Sequence, residues 1–139
     1  IVVIDFGLAH EFTTRSYPGG TPGYMPPEVW DHGLWTPKGD VFSLGVMLFS
    51  MRTGQQPFTE DCTSIEQVQL RTRQHFPQMR VGLPALQRLV VLMLEKDFRS
   101  RPPVAVLMED PWFSSATDAE QAIDESVLAV LMRRQEKTE

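Results

Sequence analysis

The chain has 139 residues, 42% of them hydrophobic, a formal net charge of −5 and one cysteine, Cys62. That is about one domain, with enough apolar matter for a real core. The acidic balance counts against nucleic acid or an anionic membrane as the main partner, and the single cysteine excludes an internal disulfide and a multi-cysteine zinc site.

A lone cysteine also suits a reducing compartment, so an intracellular, cytoplasmic address is expected. The opening residues IVVID show no basic n-region, no cleavage site and no initiator Met. No signal peptide is expected there, and the chain reads as a fragment.

Residues 1–4 form a continuous apolar run ahead of Asp5-Phe6-Gly7. The run reads as a strand buried on both faces, or equally as a piece of helix. Asp5 falls where such a segment would meet solvent. That is a place for a metal or phosphate contact, and equally for a plain turn. Residues 10–23 are loop-like, with Thr13, Thr14, Ser16 and Tyr17 near Arg15. Hydroxyls in such a loop are where phosphorylation can act, because an added phosphate needs an arginine and room to reorder. The glycines are no Walker-type cradle, since no Lys-Ser/Thr follows Gly23.

Pro26-Pro27-Glu28-Val29-Trp30 predicts a short helix, with Pro tolerated in the first turn and Glu suited to the dipole there. Residues 40–53, DVFSLGVMLFSMRT, leave almost no polar face. A helix apolar nearly all round is a buried one, and this run is too short for a bilayer, which needs about 20 apolar residues. It is expected to be the central helix of a core, closed by Gly54 and stopped by Pro57.

Ser64-Ile65-Glu66-Gln67 fits a capping box for a helix to about Phe76. Leu86, Leu89, Val90, Met93 and Leu94 recur at helical spacing, which predicts an amphipathic helix opened by Gly82-Leu83-Pro84. A short helix is expected over 104–108. Pro111-Trp112-Phe113 reads as an aromatic plug for packing rather than binding. Thr117 and Glu120 form a second capping box. Beyond them Ile123, Val127, Val130 and Leu131 make a stripe that ends in Arg133, Arg134 and Lys137. That is an ordinary terminal helix, or a basic amphipathic segment that docks on a partner.

The order of the motifs says more than any one of them. Asp5-Phe6-Gly7 is followed by Gly20-Thr21-Pro22-Gly23-Tyr24-Met25-Pro26-Pro27-Glu28 and by Asp40-Val41-Phe42-Ser43-Leu44-Gly45. Thr53-Gly54-Gln55-Gln56-Pro57-Phe58, Asp97-Phe98-Arg99-Ser100-Arg101-Pro102 and Pro111-Trp112-Phe113 come next. This series resembles the C-terminal half of a eukaryotic serine/threonine protein kinase, from the D-F-G motif onward. The wording of the 20–24 loop is similar to the calcium/calmodulin-dependent group, and the tail 123–137 weakly resembles the start of the autoinhibitory segment of that group and of calcium-dependent kinases.

The resemblance implies a kinase-like α+β fold, of which this chain is the mainly α-helical C-lobe with one short N-terminal strand. Residues 1–113 would be the partial kinase domain and 114–139 an extension helix. The complete enzyme would move the γ-phosphate of ATP to Ser/Thr hydroxyls. Asp5 would hold Mg²⁺ on the ATP phosphates, with Phe6 and Gly7 completing that cofactor-binding motif. Thr21, Gly23 and Tyr24 would contact substrate, and Thr13, Thr14, Ser16 and Tyr17 would be phosphosites. Glu28 and Arg101 would form a buried ion pair, and Asp40 would anchor the catalytic-loop backbone. Residues 123–137 would meet calmodulin or a calcium-sensor domain.

Pro26 and Phe42 depart mildly from the family's usual Ala and Trp. The 139 residues contain no glycine-rich loop, no V-A-I-K lysine and no H-R-D catalytic loop. No catalytic residue is therefore assigned: the base is expected upstream of Ile1, and the segment alone is expected to be inactive. The alternative is a pseudokinase or scaffold lobe that binds a protein partner. No nucleic acid and no membrane span are expected.

Overall fold

The computed structural model describes residues 2–7, 9, 19–79 and 84–113. Five helices follow one another among them: α1 (Pro27–His32), α2 (Pro37–Thr53), α3 (Ile65–Gln74), α4 (Pro84–Met93) and α5 (Val104–Leu107). α2 packs along α4, and α1 packs against α3.

The ends of α2 follow from local chemistry. The Thr36 hydroxyl accepts the Gly39 N–H at 3.2 Å, and Pro37 supplies a preset first turn. Such a cap is worth about 1 kcal/mol. At the other end Gly54 sits at φ 73° and donates its N–H to the Ser50 carbonyl at 2.8 Å. The left-handed conformation costs glycine nothing, and the helix stops there.

The helix starts three residues earlier than expected and is not buried all round. Val41, Phe42, Val46 and Phe49 are buried, whereas Leu44, Met47 and Met51 are 46%, 47% and 80% exposed. The last three lie at i, i+3 and i+7 and form one exposed stripe. α4 and the loops cover only the other side.

Phe42, Val46, Phe58 and Val90 anchor one cluster of the core, and Val41, Leu89, Met93 and Leu107 form another. Leu48 and Trp112 pack against both. Trp112 meets Phe113 edge to face at 4.9 Å, so this tripeptide is a packing plug. Asp110 fixes it in place, accepting from the Trp112 N–H at 2.9 Å and from Arg88 of α4 at 2.9 and 3.0 Å.

The capping box at α3 forms in a shifted version. Ser64 accepts from the Gln67 N–H at 3.4 Å, but the Gln67 amide oxygen reaches back to the Thr63 N–H at 2.7 Å. α3 ends at Gln74, before Phe76. The strand expected over residues 1–4 is absent among the described residues. Val2, Val3 and Ile4 are 83%, 73% and 78% exposed, and among the described residues no strand stands beside them to satisfy their backbone. Ile1, with which that strand was expected to open, lies outside the described residues. So do Gly82, Leu83 and the tail from 114 onward, with its second capping box.

The α2–α4 contact depends on Gly45. A Cβ there would lie 2.8 Å from Met93 Cβ and 3.1 Å from Leu94 Cδ2. The Met93 Cβ is a fixed point of a helix and cannot rotate away. Gly45→Ala is therefore expected to lower stability by about 1–3 kcal/mol, despite alanine's better helix propensity. Urea unfolding of the two proteins measures it, and an unchanged or raised midpoint would contradict so close an approach.

Candidate functional site

Asp97 begins the construction of the site. Its carboxylate accepts from the Arg99 N–H at 3.0 Å and from the Ser100 hydroxyl at 3.2 Å. These bonds, aided by the nearby Arg99 and Arg101 charges, hold its pKa below the usual carboxylate value. They close a tight turn, in which the Arg101 N–H donates to the Asp97 carbonyl at 3.0 Å. The turn sends the Arg101 side chain inward.

Arg101 is fully buried and Glu28 is 3% exposed. Nη1 donates to Glu28 Oε1 at 2.7 Å and Nη2 donates to Oε2 at 3.1 Å. The remaining geometry is also used: Nε donates to the Glu95 carbonyl at 2.9 Å and Nη1 to the Lys38 carbonyl at 2.8 Å. Only a planar fork of donors can serve all four at once. One guanidinium thus ties α1, the first turn of α2 and the segment after α4 together.

The loop ahead of α1 is fixed against the same scaffold. The Ser43 hydroxyl of α2 donates to the Tyr24 carbonyl at 2.9 Å, and the Gln56 amide donates to the Tyr24 hydroxyl at 2.7 Å. Gly23 has φ 92°, and a Cβ there would meet Thr59 Cγ2 at 2.4 Å. Both conformation and space demand glycine. Thr21 is exposed beside it, its carbonyl accepting from the Tyr24 N–H at 3.1 Å.

Of the remaining residues singled out from the sequence, Asp5, Phe6 and Asp40 are described, and they share none of the bonds above. Asp5 is exposed at φ 63°, a conformation that aspartate tolerates because its short side chain can bond nearby backbone. Here its carboxylate accepts the Gly7 N–H at 3.3 Å. Phe6 is 69% exposed. Asp40 lies in the first turn of α2 and largely meets solvent. The burial of the rest of its surface raises its pKa. Thr13, Thr14, Ser16, Tyr17 and residues 123–137 lie outside the described residues. Ile1, the reference point for the expected base, lies outside them too. No group of three or more metal-ligating side chains occurs among the described residues.

Sequence reasoning missed Lys96. Its Nζ is buried without a hydrogen-bond partner. It lies 4.2 Å from the Phe58 ring centroid and 5.4 Å from those of Phe42 and Phe76. The rings come from α2 and two distant loops, so no local pattern announces the cage. Burial first, then the Arg101 charge, pushes the amine's pKa down to about 7, with Glu95 opposing.

The fold and the anchored loop define a class: a mainly helical lobe whose loop is tied down by a buried carboxylate–guanidinium pair. The protein kinase domain family matches residues 1–113. The chain belongs to that family, and what is described of it is the helical C-lobe. Calcium-dependent protein kinase 6 of Plasmodium berghei (strain Anka) is 37% identical over 126 residues, 84% of this chain and 8% of that protein. Serine/threonine-protein kinase par-4 of Caenorhabditis briggsae is 30% identical over 139 aligned residues, 88% of this chain and 20% of that protein. Serine/threonine-protein kinase chk-2 of Caenorhabditis elegans is 35% identical over 118 residues, 81% of this chain and 25% of that protein. The chain thus spans a quarter or less of each relative's length.

Two outcomes are expected from the pair and the cage. Arg101→Met strands a buried carboxylate and is expected to cost about 3–5 kcal/mol, read as a loss of the urea midpoint; Arg101→Lys should recover only part, since one ammonium cannot bond four acceptors. Lys96 sets a pH dependence. Between about pH 7 and the ordinary lysine value of 10.5, the folded amine is neutral while the unfolded one is charged. Unfolding takes up a proton there, so stability rises with pH across that window, by about 0.5–1 kcal/mol per unit after allowance for solvent screening. Lys96→Met should abolish the rise and stabilise the protein at pH 6, as denaturation at several pH values would show.

Proposed function

We propose that this chain is the activation-segment and lower-lobe part of a serine/threonine protein kinase. Joined to an ATP-binding lobe and a catalytic loop, it transfers the γ-phosphate of ATP to hydroxyls of proteins. The observation that carries the reading is the Glu28–Arg101 pair, buried and bidentate inside the matched region. It holds the Thr21–Tyr24 loop in one place relative to the helical lobe, and phosphoryl transfer depends on such positioning.

In this reading Thr21, Gly23 and Tyr24 shape the surface that receives the substrate segment, and Asp40 steadies the catalytic-loop backbone. Asp5 suits the metal's chemistry in one respect. It is an exposed carboxylate, the hard oxygen donor that Mg²⁺ prefers. It supplies one ligand, and ATP phosphates and water would supply the rest. Bound Mg²⁺ would neutralise charge on the transferring phosphate. Thr13, Thr14, Ser16 and Tyr17 remain the proposed phosphosites. A calcium sensor at residues 123–137 is a further part of the proposal, supported by the relative named as a calcium-dependent kinase.

The test compares the 139-residue segment with the complete protein in a radiolabelled phosphate-transfer assay. The segment alone is expected to show no turnover. The complete protein should be active, and Asp5→Asn should lower its rate by about 100-fold or more. Turnover by the segment that Asp5→Asn abolishes would overturn the assignment of the base to residues upstream of Ile1. A complete protein that neither turns over nor binds ATP, yet holds a protein partner, would establish the scaffold reading instead.

A further inference from the structure

The segment 55–59, just past α2, touches the loop ahead of α1 at two places. Gln56 Nε2 donates to the Tyr24 hydroxyl at 2.7 Å. The Thr59 methyl stands where a side chain at Gly23 would have to go, 2.4 Å from such a Cβ. The segment is itself fixed to the lobe. Pro57 and Phe58 are buried, and Phe58 stacks on Phe42 of α2 at 5.6 Å. The Gln55 N–H donates to the Thr53 hydroxyl at the end of α2 at 3.2 Å. A rigid support thus meets the outer end of Tyr24, while Ser43 holds its backbone carbonyl at 2.9 Å.

Crowding alone does not put Gln56 there. It also lines a cavity of about 770 Å³ between the end of α2, the end of α3 and the segment 75–79, so room is left beside it. Nor is its amide fully satisfied in this place, because Oε1 is buried without a hydrogen-bond partner. A stranded acceptor costs stability, and an apolar side chain of the same length would fill the position without one. What the amide supplies, and such a side chain does not, is the bond to Tyr24.

We propose that Gln56 is a positioning residue: it sets the place of the Tyr24 ring, and through it the surface that residues 20–24 offer to a substrate segment. A tyrosine held only at its backbone can turn about two side-chain torsions, and a bond at the far end of the ring stops both. Receiving a substrate in one geometry requires that its receiving surface be fixed beforehand. The fixing of the ring stands on the bonds above; its consequence for substrate rests on the kinase reading.

The test is made on the complete protein with Gln56→Met, which keeps length and bulk but cannot donate. The Tyr24 N–H, bonded to the Thr21 carbonyl at 3.1 Å, reports on the loop. Amide exchange over residues 20–24, followed by mass spectrometry, is expected to quicken about tenfold. The urea midpoint should move by less than about 0.3 M, since the stranded acceptor is lost along with the bond. In phosphate transfer to a peptide, the KM for the peptide should rise about fivefold, while kcat and the KM for ATP stay within about twofold. Tyr24→Phe should quicken exchange likewise, and Gln56→Met should add nothing to it, because both act on one bond. Unchanged exchange, or effects of the two changes that add, would overturn the proposal, and so would an unaltered peptide KM in an active protein. A complete protein without turnover defeats the kinase reading alone: faster exchange in the variant would still support the role of Gln56, and unchanged exchange would still sink it.

Discussion

The Glu28–Arg101 pair is the constraint on which the rest of the lobe depends. Its residues are 73 positions apart in the chain, so the pair closes a long loop. A carboxylate and a guanidinium lose much of their hydration when buried so fully, and their mutual attraction offsets that loss only if the geometry is good. Here the two bonds to Glu28 and the carbonyls of Glu95 and Lys38 satisfy the fork. A pair of this kind adds little to stability over a well-packed apolar equivalent. Its contribution is to exclude other arrangements, since any other placement of α1 leaves a charge buried and alone.

That exclusion explains the order of contacts around it. The Arg101 guanidinium also lies 4.9 Å from the Phe42 ring, which stacks on Phe58 at 5.6 Å, and Phe58 in turn lies beneath the Lys96 amine. Two cations thus share one aromatic stack. The ring faces attract both, but burial first, and then the Arg101 charge, disfavour the charged Lys96 amine. Arginine does not deprotonate in proteins, and the shift falls on Lys96.

The pieces of this arrangement that are local in sequence were legible and the others were not. The left-handed stop at Gly54, the Ser64 cap and the α4 spacing depend on residues within a turn of one another; the stop and α4 formed as expected and the capping box formed in shifted form. Glu28 and Arg101 were legible only through the family pattern, because no local rule relates residues so far apart. The exposed stripe of Leu44, Met47 and Met51 illustrates a related limit. An apolar composition states that a helix can be buried on every side, but coverage is set by what else packs there. The run ahead of Asp5 failed similarly: Val2, Val3 and Ile4 become a strand only beside a partner strand. Lys96 was invisible because its cage is assembled from Phe42, Phe58 and Phe76 only after folding.

Tyr24 shows how these layers combine. Its carbonyl is held by Ser43 on the central helix, its hydroxyl by Gln56 at the edge of the cavity, and the next residues lead through Pro26 to Glu28. A shift in the loop would have to break contacts to α2, to the cavity wall or to the buried pair. A short segment bounded in this way has few conformations to choose between. The helices and the buried pair thus form a frame that fixes where one loop can be.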